Sequence, residues 1–205
     1  AVGYRTLSAN INGNINTAIG YLTLENNVSG SLNVACGESA LNKNTTGNYN
    51  AAFGSLALYN TTGSYNTAIG EEALTSNTTS NYNTAVGALA LWTSTASPNV
   101  AFGYSCLFSN TTGNNNVAVG HETMQYNTLG SDNSAFGRRA LRNNTAGASN
   151  TALGEVALAS NTSGSANTAA GYGALVTNST GNNNTAVGYA SLQNNTTGGN
   201  NTALG

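Results

Sequence analysis

GYGALVTNSTGNNNTAVG, residues 171–188, decides how the chain folds, because nearly the same string recurs from one end of the sequence to the other. The glycines that follow a small-apolar pair mark the period: Gly3, Gly20, Gly37, Gly54, Gly70, Gly87, Gly103, Gly120, Gly137, Gly154, Gly171, Gly188 and Gly205. Successive marks lie 17 residues apart, except for 16 at Gly54–Gly70 and at Gly87–Gly103. Ala stands two residues before every mark, from Ala1 and Ala18 to Ala203. Four residues before, from Gly20 onward, there is always Asn: Asn16, Asn33, Asn50, Asn66, Asn83, Asn99, Asn116, Asn133, Asn150, Asn167, Asn184 and Asn201. Four residues after each mark comes Leu, with Met124 as the exception. The unit is G-x-x-A-L-x-x-N-T-T-G-x-x-N-T-A-[VILF]. A column that does not vary within one chain reports a constraint met in every repeat.

A unit of 17 residues is too short for a strand plus a helix, which needs at least about 20. The N-T-A-[VILF]-G segment is rich in Thr and β-branched residues and reads as a short strand. A second short strand is expected to carry the Ala-Leu pair. N-T-T-G reads as a corner, since Asn and Gly tolerate the left-handed backbone of a tight turn. Ser80 and Ala96 replace the corner glycine in two repeats. The two 16-residue repeats lose their residue between the Leu and the corner, so corners absorb the deletion and strands keep register.

The expected fold is therefore all-β: a β-solenoid (parallel β-roll) of about twelve 17-residue coils, a single repeat array over residues 1–205. Stacked at roughly 4.8 Å, about twelve coils make a rod on the order of 58 Å long. Stacking puts the Asn column in position for an amide ladder along the axis. Side chains alternate along a strand. Asn, Ala and Gly therefore share one face, and Thr with Ile, Val, Phe or Leu shares the other. Alternation does not say which face points into the coil.

Composition narrows the function. Charged residues are 6% of the chain and the net charge is -2, which supplies no field for nucleic acid or an anionic membrane. Asn occurs 36 times, Gly 25 times and Pro once, while 39% of residues are hydrophobic. That is too apolar and too poor in Pro and charge for a disordered chain. The longest apolar run, Ala88 to Trp92, is far short of a membrane span.

Chemistry-bearing residues are few. The one histidine, His121, stands beside Glu122, but zinc needs three or four ligands, and a hydrolytic triad needs a base beside its nucleophile. No enzyme activity, metal or cofactor is expected. The glycine-rich pieces lack the Lys and the strand–loop–helix context of a phosphate loop. Charges gather in the two columns after the glycine mark: Glu38, Glu71, Glu72, His121, Glu122, Arg138, Arg139 and Glu155. Tyr4, Tyr21, Tyr104, Tyr172 and Tyr189 share the first of these columns and are the candidate surface contacts, since aromatic rings stack on sugar faces. Cys36 and Cys106 lie about four coils apart, on the order of 20 Å, beyond the reach of a disulfide. Asn44, Asn60, Asn77, Asn110 and Asn195 each begin Asn-Thr-Thr, an N-glycosylation pattern; turn chemistry accounts for it without a sugar.

The repeat resembles the N-[ST]-x-A-[IV]-G repeats in the heads of trimeric autotransporter adhesins, and more closely the N-T-A-[VI]-G-x-x-A-L repeats of phage tail fibres and other surface fibres. Asn16–Gly20, Asn66–Gly70 and Asn184–Gly188 carry the match, and it extends over the whole chain. The adhesin heads have shorter repeats. The resemblance implies an extracellular rod, at a cell surface or on a virion, that is structural or adhesive. Its implied partners are further copies of itself, as a homotrimer or an end-to-end filament, and a host-surface glycan or protein. No nucleic acid and no membrane insertion by this segment are expected. Because the array starts and stops in the same phase, it is expected to be a segment of a longer fibre or an end-to-end stacking subunit. An ice-binding solenoid is the alternative, weakened where Val34, Ala51, Val100, Val117 and Ser134 interrupt the Thr column. A carbohydrate-binding, tail-spike-like segment is third; an enzyme of that type needs a carboxylate pair, and the acids are scattered over corners.

Overall fold

A computed structural model describes residues 1–205. Twelve short strands, from β1 (Thr17–Ile19) to β12 (Thr202–Leu204), stack in chain order into one parallel sheet, and there is no helix. Register is the same at every step: Thr17 pairs with the Val34 position, Ala18 with Ala35 and Ile19 with Cys36. The chain is thus a β-solenoid with one strand per coil. The expected second strand is absent, and the Ala-Leu segment is a run of turns.

The reason is backbone conformation. The second residue after each glycine mark (Leu22, φ 55; Val156, φ 54), the Leu four after it (Leu24, φ 49; Leu41, φ 52) and, Pro98 apart, the residue before the ladder Asn (Tyr49, φ 57; Ser149, φ 56) are left-handed. An extended strand has negative φ throughout. The left-handed residues aim their amides along the rod axis. Leu22 N–H donates to the Tyr4 carbonyl of the preceding coil (3.0 Å), and Leu24 N–H to the Ala40 carbonyl of the following one (3.0 Å). Left-handed L-residues are costly. Inside the array each one is held by the axial hydrogen bond of its own N–H to a neighbouring coil.

The small face of the strand points inward. Ala18, Ala35 and Ala52, and so on to Ala186, are buried, together with Leu24 through Leu175 and the second Ala column from Ala40 to Ala174. The core is one Ala-Leu stack, narrow because a coil of this length encloses little space. Ile19, Phe53, Ile69, Phe102, Phe136 and Leu153 point outward and are 41–46% exposed.

The glycine mark is required by the next coil. At Gly137 (φ +131) a Cβ would lie 2.6 Å from the carbonyl carbon and oxygen of Gly154, inside any tolerable contact. Gly173 differs: φ is +63, nothing lies within 4 Å, and other coils place Leu, Ser, Glu or Val at that position. Gly137→Ala is therefore expected to cost on the order of 3 kcal/mol or more, and Gly173→Ala only about 1 kcal/mol or less. Urea unfolding midpoints of the two variants measure the difference; equal midpoints would contradict this account.

Candidate functional site: stacked columns on the rod

The site a solenoid offers is a set of columns. The innermost polar one is the Asn column at the strand entrance. Asn16 Oδ1 accepts from the Asn33 backbone N–H (3.0 Å), and Asn16 Nδ2 donates to the Gly30 carbonyl at the next corner (2.7 Å). The same oxygen-to-amide contact recurs at each step as far as Asn201 N–H on Asn184 Oδ1 (3.0 Å). In the interior these side chains are completely covered, so each supplies partners to buried backbone groups that sheet pairing leaves open.

A second amide ladder lies at the corner, where the sequence by itself shows only turn chemistry. Asn144 Nδ2 donates to Asn127 Oδ1 (2.7 Å) and to the carbonyl of its own corner glycine, Gly147 (2.8 Å). The contact is interrupted only at Thr61 and Ser94, the two 16-residue coils. There the substitution matches the deletion. Asn44 Oδ1 reaches the N–H of Gly47, three residues on (3.0 Å), whereas Thr61 Oγ1 reaches that of Gly63, two residues on (3.1 Å). A shorter side chain closes a shorter corner. The signal was readable: the short coils are the two that lack this Asn.

The ladder has one defect. Asn83 Nδ2 is buried without a partner. The corner it would reach is the one where Ala96 stands in place of glycine.

Ladder membership also decides the Asn-Thr-Thr sites. The side chains of Asn44, Asn77 and Asn110 are buried in the second ladder. A folded rod offers no room for a sugar on them. Asn60 and Asn195 are partly exposed.

The outer columns are aromatic in patches. Tyr4 stacks on Tyr21 (ring centroids 5.4 Å apart), Tyr172 on Tyr189 (5.4 Å) and Tyr104 on His121 (5.3 Å). In the column before the Asn ladder, Tyr65 is stacked on both sides, by Tyr49 at 4.8 Å and Tyr82 at 5.1 Å. Stacking along the axis covers ring faces, leaving edges and hydroxyls outward. A sugar would meet these columns by hydrogen bonding more than by lying flat on a ring.

No third His, Cys, Asp or Glu stands near His121 and Glu122. Arg139 Nε lies 2.7 Å and Arg142 Nε 3.3 Å from Glu122 Oε2. The hydrogen bond from Arg139 is the main reason its carboxyl is held below the usual range. Arg138 and Glu155 of the next coil form a 2.6 Å pair that is half exposed and contributes little to stability. The surface has no cavity.

No protein family model, curated protein or solved structure matches the chain.

Two contrasts test the columns. Asn133 has both ends engaged: Oδ1 accepts from Asn150 N–H (2.9 Å) and Nδ2 donates to the Gly147 carbonyl (2.9 Å). Asn133→Leu strands both groups and is expected to cost about 3 kcal/mol, whereas Asn83→Leu strands only the Asn99 N–H and should cost about half that. Urea midpoints of the pair give the ratio.

The thiols differ too. Cys106 is buried in the core, and desolvation pushes its pKa up to about 12; Cys36 is partly exposed on the outer face. A maleimide at neutral pH should label Cys36 in the native rod and Cys106 only after denaturation. Rapid native labelling of both would contradict the burial of the inner column.

Proposed function

We propose that the chain is a structural rod of an extracellular fibre, of the bacterial-surface or phage-tail kind, which associates with its own copies through the outer face of the sheet. The observation that carries this reading is the axial Asn ladder. It links coil to coil from Asn16 to Asn201 and is set in the same register as the sheet. Hydrogen bonds directed along the axis resist extension and bending, which is the demand on a fibre. The likeness of the repeat to adhesin heads and tail-fibre segments supports the same reading, as does the exposed apolar column that runs along the sheet through Ile19, Phe53, Ile69, Phe102 and Phe136, since contiguous exposed apolar surface marks an interaction site. The Tyr columns suit an adhesive role toward a host-surface glycan or protein.

A second reading is favoured by one feature. The outward Thr column, unbroken from Thr151 through Thr202, lies on one regular sheet, as an ice-binding surface requires. Thermal hysteresis in a nanolitre osmometer would support it.

The fibre reading is tested by immunogold labelling of source cells and virions with antibody raised against this chain. Label along extracellular fibres is expected; label confined to the cell interior would overturn it.

A further inference from the structure

We infer that two copies of this rod pack face to face, parallel and in register, about a two-fold axis that runs along the rod. The inference rests on the reading of the outer face as a self-association surface and adds its partner geometry.

Four outward columns define the face. The apolar column and the Thr column are its centre. Two exposed rims flank them: the residue before the ladder Asn on one side, and the residue after the glycine mark on the other. Within each coil the rims are six residues apart, up to about 20 Å if extended. They are too far apart to fill space for one another within a chain.

The rims nevertheless compensate in size. Where the first rim is Tyr49 or Tyr82, the second is Ser55 or Ala88. Where the second rim is Tyr172 or Tyr189, the first is Ala166 or Asn183. Where the second is Arg138, the first is Asp132, whose carboxylate meets only the Asn115 amide (3.1 Å) and no cation within its own chain. Both rims are large in three coils: Ile15 with Tyr21, Leu32 with Glu38, and Tyr65 with Glu71.

A two-fold parallel to the rod lays each rim of one copy over the opposite rim of the other at the same height. Outside those three coils large then meets small, and Asp132 meets Arg138. The same operation lays the Thr column over the apolar column, and there Phe53 falls over Ala51 and Phe136 over Ser134. An antiparallel pairing does worse. It sets the apolar column against itself, with Phe102 on Phe102 and the two smallest residues, Cys36 and Ala170, opposite each other.

Size is adequate as well. A face about 55 Å long and roughly 15 Å wide buries on the order of 800 Å2 per copy, the standard for a stable complex.

The test uses the intact chain with Cys36→Ser, leaving the buried Cys106 in place. Sedimentation equilibrium should give twice the 20.6 kDa chain mass. Ser149→Cys and Glu155→Cys chains, co-expressed, should be joined by a short bismaleimide. The yield should be about tenfold or more above that of co-expressed Ser149→Cys and Tyr49→Cys chains, because only the first pair is held at high effective concentration. Ile69→Asp with Phe102→Asp should give a monomer with an unchanged circular dichroism spectrum, since both residues point outward. A monomeric parent chain, a trimer mass, preferential linkage of positions 49 and 149, or a dimer that survives the double Asp variant would each overturn the inference. A monomeric parent chain would also remove the self-association part of the proposed function; the extracellular-fibre part stands or falls separately, on the immunogold labelling.

Discussion

Hydrogen bonding along the axis is the constraint on which this molecule depends. A coil of 17 residues with one three-residue strand cannot satisfy its backbone through sheet pairing alone. Most of its amides and carbonyls lie in turns. The structure meets this by directing N–H groups up and down the rod at left-handed positions such as Leu22 and Leu24, and by burying two columns of Asn whose amides complete what the backbone leaves open. An unpaired buried amide or carbonyl costs about 1–3 kcal/mol. A ladder position filled by an apolar residue would carry that cost in every coil. The near-invariance of the Asn column follows.

The same constraint explains the rest of the unit. Coils spaced for hydrogen bonding leave no room for a Cβ at the glycine mark, nor at the corners that carry glycine; Ser80 and Ala96 are the two corners that take one. At Gly164, for example, a Cβ would lie 2.5 Å from the Gly181 carbonyl oxygen. Ala is the largest side chain that recurs at the inner strand position, and Leu fills what remains. The two short coils show the rule from the other side. Shortening the corner by one residue is tolerated because Thr61 and Ser94 replace Asn and keep the corner amide bonded. At Ala96 the substitution goes uncompensated, and Asn83 Nδ2 is left without a partner.

With the interior committed to scaffold, variation is confined to the outside. Ile, Phe, Val and Leu alternate freely in the outward apolar column, and Tyr, Glu, Arg and Ser interchange on the rims. Such freedom is that of a surface tuned by what lies against it, and it is the basis for reading the rod as one member of an assembly. The ionic groups follow the same logic. Glu122 and Glu155 are held by arginines of the adjacent coil, so even the charges serve axial contacts more than a reactive centre.

The sequence by itself determined the coil, its length, the number of coils and where each deletion falls. Equivalent positions of a stacked array share one environment, and that environment selects one residue type again and again. It also placed the Asn column and separated the two faces of the strand. The tertiary structure alone decided which face lies inside. Period-two alternation sorts side chains into two sets without giving the sign, and the sign here is set by the narrowness of the coil, which admits Ala and excludes Phe. It also decided that the Ala-Leu segment is not a strand. Leu41 at φ 52 looks in the sequence like any strand leucine, because its left-handed backbone is held by a hydrogen bond to the coil stacked on it, through Ala57, and leaves no mark on composition. The second ladder was hidden for a related reason: an Asn beside a corner glycine already has a local explanation, and only the stacking of Asn127 beneath Asn144 shows that its amide is turned along the axis.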